Sequence, residues 1–93
     1  MAESVSDVLT TFLNQTGLMK PILETRLVER WPEIMGPQVA DLTSKIEVKD
    51  GVLYVHIHSA ALRQQLFECR FQLRDRLNAA MNAQVIRDIR LLG

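Results

Sequence analysis

On either side of an Asp50-Gly51 dipeptide, apolar residues recur at every second position. Ile46 and Val48 alternate with Lys45, Glu47 and Lys49; Leu53, Val55 and Ile57 alternate with Tyr54, His56 and His58. Successive side chains of a strand point to opposite faces, so each run has one aliphatic and one polar side. Asp-Gly suits a two-residue type I′ turn, whose central residues both need positive φ. The spacing therefore predicts a β-hairpin with one face demanding a cover and the other open to solvent. A chain of 93 residues has room for one core, so the cover must come from the rest of the same domain.

The flanking segments supply it. Ser59 is placed to cap a helix running to about Met81, and Leu62, Leu66, Cys69, Leu73, Leu77 and Ala80 fall within one narrow arc of it. Asn82 and Ala83 end that helix, and Val85 to Leu92 reads as a third strand with Ile89 and Leu91 facing inward. Upstream, Ser4 caps a first helix whose stripe is Val5, Val8, Leu9, Phe12 and Leu13, stopped by Gly17. Pro21 opens a second helix with an apolar face of Leu23, Leu27, Val28, Trp31, Ile34 and Met35. Pro32 is expected to kink or split this helix, Gly36-Pro37 to end it, and Gln38 to Leu42 to form a short helical turn. The expected class is α+β, in the order α-α-β-β-α-β, with helices packed on a three-stranded sheet. It reads as one domain over residues 1–93, an N-terminal helix (1–17) leading into a core (18–93).

Charge narrows the function classes. Eleven basic and eleven acidic residues cancel, which argues against strong, purely electrostatic binding of nucleic acid. The charge is nevertheless polarised: residues 1–43 hold six acids against three bases, and residues 59–93 hold six arginines against three acids. Either the two halves pack together and neutralise each other, or one face is left basic for an anionic partner. No apolar run approaches the roughly 20 residues that span a bilayer, so no membrane partner is expected. The first residues show no secretory pattern. With a single cysteine, Cys69, this indicates a cytoplasmic, reducing setting.

Candidate chemistry points to binding rather than catalysis. Cys69 falls in the apolar arc, where a thiol acts as a small buried hydrophobe, and no serine sits in a G-x-S-x-G elbow. His56 and His58 share one strand face, but a catalytic zinc needs three protein ligands and a closed site four, so neither metal nor cofactor is expected. No glycine-rich phosphate cradle is present. The open hairpin face offers Lys45, Lys49, Tyr54, His56 and His58, which combine phosphate-seeking charge with one ring able to stack on a base. On the long helix Arg63, Arg70 and Arg74 share a flank, with Phe67 and Phe71 beside them. The phenylalanines are either covered by the N-terminal helices or a second subunit, or they form an apolar patch rimmed with arginine, as in a docking site.

The ordered set Trp31-Pro32-Glu33-Ile34-Met35-Gly36-Pro37-Gln38-Val39-Ala40, Asp50-Gly51-Val52-Leu53-Tyr54-Val55-His56-Ile57, Ser59-Ala60 with Leu62 and Leu66, and Leu77-Asn78 followed by Val85 and Ile89 resembles the DciA-like family over roughly residues 22–92. The resemblance implies a KH-like fold and a small adaptor associated with the bacterial replicative DNA helicase, with weak affinity for single-stranded or forked DNA. A protein-interaction module, including a homodimer, is the competing expectation from a different class.

Overall fold

The computed structural model describes residues 5–93, with the side chains of Val5, Ser6, Thr10, Leu13 and Asn14 left aside. The hairpin forms as its sequence dictates. Strand β1 (Thr43–Lys49) pairs antiparallel with β2 (Val52–Ile57), and Lys45, Glu47 and Lys49 stand opposite His56, Tyr54 and Val52. Asp50 and Gly51 take φ of 53° and 78°, the two positive values that the turn requires. Gly51→Ala would force an L side chain into that region beside the Arg87 guanidinium. We expect a loss of about 1–2 kcal/mol, read from the urea midpoint.

β3 (Asp88–Leu92) lies parallel to β2, with Ile89 beside Leu53 and Leu91 beside Val55, so the sheet order is β1-β2-β3. A parallel partner requires a crossover, and the helical segment after Ser59 provides it. Ser59 caps the segment, its Oγ accepting from the Leu62 N–H at 3.2 Å.

The expected single helix is two. α4 (Ala60–Glu68) and α5 (Arg70–Met81) meet at Cys69, whose φ and ψ of −110° and 24° leave the helical range. The thiol donates to the Gln65 carbonyl at 3.2 Å, a back-bond of the kind that bends helices. Cys69 is exposed, so its place in the buried arc is corrected; Leu66, Leu73 and Leu77 carry the stripe across the break. Asn82 then ends α5 in the left-handed conformation, as expected of the residue there.

α2 (Met19–Met35) lies on the same side of the sheet and buries Leu27 and Trp31 in one cluster with Leu53, Val55, Ile57, Leu66, Leu73, Leu77 and Ile89. Pro32 does not split it, and Pro21 falls in its first turn. After Gly36, α3 (Pro37–Leu42) leads into β1. The Trp31 indole N–H donates to Thr43 Oγ1 at 3.1 Å, and that hydroxyl donates to the Val39 carbonyl at 2.8 Å. One relay thus joins α2, α3 and β1.

Two guanidinium groups lock α2 to α5. Arg30 Nη1 donates to the Ala80 carbonyl at 2.9 Å, and Arg76 Nη2 to the Ile34 carbonyl at 3.0 Å. Each cation sits at the C-terminal turn of the other helix, where carbonyls lack helical partners and the dipole favours positive charge.

The third strand is shorter than expected, starting at Asp88, because Val85 and Ile86 are buried in a turn held by Asn78. Asn78 Oδ1 accepts from the N–H groups of Val85 and Ile86, each at 3.0 Å, and Nδ2 donates to the Ile86 carbonyl at 2.8 Å.

α1 (Val5–Thr16) ends at Gly17, as its sequence indicates. Val8, Leu9 and Phe12 of its stripe are more than half exposed. The predicted cap Ser4, and the side chains of Val5 and Leu13, lie outside the described residues.

Candidate partner-binding groove

The candidate residues separate into three places. Lys45, Lys49, Tyr54 and His56 project from the sheet face opposite the helices, and β3 adds Arg90 in register with Tyr54 and Leu92 in register with His56. This face is electrically mixed. Lys45 lies 4.0 Å from Glu47, and Arg90 lies 3.5 Å from Asp88. The His56 Nδ1 is 3.3 Å from the Gly93 carbonyl. His58 falls just beyond β2, its N–H donating to the Leu42 carbonyl at 2.8 Å. The two histidines therefore do not sit together in one strand. Among the described residues no group of three histidine, cysteine or acidic side chains is close enough to hold a metal ion.

Arg63 stands apart from the other candidate arginines. Its Nη1 donates to the Ile57 carbonyl at 2.6 Å, tying the first turn of α4 to the end of β2.

Phe67, Arg70, Phe71 and Arg74 do come together, and the break at Cys69 is where they meet. The Arg70 guanidinium lies 4.3 Å from the Phe67 ring centre and 4.4 Å from that of Phe71, so the cation is held between two rings. Arg70 Nη1 also donates to the Phe67 carbonyl at 3.1 Å. Arg74 lies 5.3 Å from the Phe71 ring and 3.0 Å from Asp75. Phe67 is 49% and Phe71 51% exposed, so neither the N-terminal helices nor the core covers them. The reading in which those helices close this face is corrected.

The rings and Arg70 form one wall of an open cleft of about 730 Å³, and the strand from Arg87 to Leu92 forms the other. β3 is an edge strand, so alternate backbone groups along the cleft point outward. Arg87 and Arg90 thus line one groove with Arg70, and Arg74 adjoins it, its Nη1 donating to the Arg87 carbonyl at 3.4 Å. Sequence reasoning missed Arg87 and Arg90, although a right-handed crossover through the long helix would have placed β3 under it.

Among the described residues, the ion pairs Arg30–Glu33, Lys45–Glu47, Arg74–Asp75 and Arg90–Asp88 are local. None of them joins the acidic first half to the basic last part.

A family model described as Dna[CI] antecedent, DciA, matches residues 4–91. The chain belongs to the DciA family. This family is associated with bacterial DNA replication and, in general, with the replicative helicase. A UPF0232 protein of Rhodococcus jostii (strain RHA1) is 27% identical over 79 residues, 85% of this chain and 42% of that relative. The chain therefore spans less than half the length of that relative. No helix among the described residues is long and apolar enough to cross a membrane.

Proposed function

We propose that this DciA family member is a non-enzymatic, cytoplasmic adaptor that docks on the replicative helicase and holds single-stranded or forked DNA weakly in the groove beside β3. One observation carries the reading: Arg70 sandwiched between two half-exposed phenylalanine rings, in a cleft lined also by Arg87 and Arg90 and adjoined by Arg74, whose Nη1 donates to the Arg87 carbonyl at 3.4 Å. Bases stack on such rings regardless of sequence, while the guanidinium groups meet phosphates. A cleft between a helix break and a strand edge also suits the KH-like reading of the fold. The break carries Glu68-Cys69-Arg70-Phe71 rather than a GxxG loop, so the arginines take the place of a glycine-based backbone clamp. The open sheet face is the weaker candidate, because it offers a single aromatic ring, Tyr54, and Glu47 pairs with its Lys45.

Fluorescence anisotropy with a labelled oligothymidine over a salt series tests this. Four phosphate contacts predict a log–log slope of about −2.8, or a loss of about 50-fold between roughly 50 and 200 mM salt. Arg70→Glu with Arg74→Glu should weaken binding at least about tenfold and roughly halve that slope. Absence of binding at low salt, together with no capture of purified replicative helicase, would remove the reading. The rival is a protein-docking or homodimer surface without DNA, favoured by the same exposed rings. It predicts that Phe71→Asp abolishes partner capture while no oligonucleotide binds.

A further inference from the structure

The sheet has a second free edge, and its surroundings carry the opposite charge. Beside β1 a cleft runs between that strand and α2, lined by Glu24, Glu29 and Glu47 with the half-buried Val28, Ile46 and Val48. The β3 cleft is lined by three arginines, Arg70, Arg87 and Arg90, with Arg74 next to it, and of these Arg74 and Arg90 are paired with Asp75 and Asp88.

The backbone directions follow from the pairing. The His58 N–H bonds to Leu42, so even-numbered residues of β2 face β1 and odd-numbered ones face β3. By alternation Ile46 and Val48 on one edge, and Ile89 and Leu91 on the other, turn their backbone groups outward. The Ile89 N–H meets the Asp88 carboxylate at 2.8 Å, an exchangeable local partner.

We infer that this chain self-associates head to tail, the β3 edge of one copy lying along the β1 edge of the next. Both edges have their helices on the same face of the sheet, α2 beside β1 and α4–α5 beside β3. Joining the edges therefore continues the strand layer and the helix layer together. Phe67 and Phe71 come against the apolar flank of Val28, while Arg70 and Arg74 come against Glu24 and Glu29. Pairing of like edges is disfavoured, since it sets arginine against arginine or glutamate against glutamate. A net charge of zero leaves no long-range repulsion to hold copies apart. The contact joins two different patches, so it builds open oligomers or rings rather than a closed dimer. The inference goes beyond the DNA reading and stands without it, because the assay contains no nucleic acid.

Sedimentation velocity of the full chain, from roughly 10 to 500 µM, reads this directly. At about 25 mM salt the weight-average coefficient should rise past that of a dimer. At about 300 mM the apparent association constant should fall at least about tenfold, as screened surface charges require. Glu24→Lys with Glu29→Lys, and separately Arg70→Glu with Arg74→Glu, should each leave a monomer with an unchanged circular dichroism spectrum. Mixing the two variants restores complementary edges and should restore association. A monomer at every concentration in low salt would overturn the inference. So would growth that stops at a dimer, association indifferent to both charge reversals, or a mixture that stays monomeric.

Discussion

Asn78→Ala is expected to remove about 3–5 kcal/mol of stability, seen as a large fall in the urea midpoint with little change in slope. The side chain is 5% exposed and makes three bonds to the buried turn at residues 85 and 86. Alanine strands the Ile86 N–H and carbonyl and leaves the Val85 N–H only its 3.1 Å bond to the Ala83 carbonyl; each buried unsatisfied group costs about 1–3 kcal/mol. A small domain holds only about 5–15 kcal/mol in all, so much of the margin would go. The same turn delivers Val85 and Ile86 to the core and sets where β3 begins. Asn78→Asp separates the bonds: it keeps an acceptor for the two N–H groups but turns a carboxylate toward the Ile86 carbonyl. A change under about 0.5 kcal/mol for the alanine variant, the size of an ordinary surface substitution, would refute this account.

Trp31→Ala should cost about as much, roughly 3–5 kcal/mol, by a different route. The indole is 1% exposed and is among the largest fully buried side chains, so its loss opens a cavity beneath the sheet. It also frees the Thr43 hydroxyl that links α2 to the start of β1. Trp31→Phe retains part of the volume and should cost visibly less. Thr43→Val, which removes the hydrogen-bonded relay while keeping a similar shape, should cost about 1 kcal/mol. Thermal or urea melts of the three variants would rank them in that order. Equal losses for Trp31→Phe and Trp31→Ala would place the energy in the hydrogen bond rather than in packing.

The hairpin was legible because two independent signals coincide there, strict alternation and a dipeptide tolerant of positive φ at both positions. The stripe Leu66, Leu73 and Leu77 was legible for the same kind of reason, since periodicity reports which side faces the core. Cys69 was not. It satisfies the spacing, yet its thiol bonds one turn back to Gln65 and the helix bends there, which no pattern of apolar residues encodes. The stripe of α1 shows a related limit. Amphipathicity says that Val8, Leu9 and Phe12 favour a cover, not that the described chain provides one. In the groove, Arg70 and Arg74 could be read from helical spacing together with the adjacent rings. Arg87 and Arg90 belong to a distant segment, and only the parallel pairing of β3 with β2 brings them alongside. Asn78 gave a polar residue beside Leu77 in an apolar arc, a signal whose meaning depends on the turn it braces.

The bend at Cys69 has a practical corollary. The chain holds one thiol, exposed and immediately before Arg70, so a maleimide dye would attach at a single defined point, the junction of α4 and α5. Its emission would report changes at that junction without any engineered handle, whether an oligonucleotide or a neighbouring copy causes them.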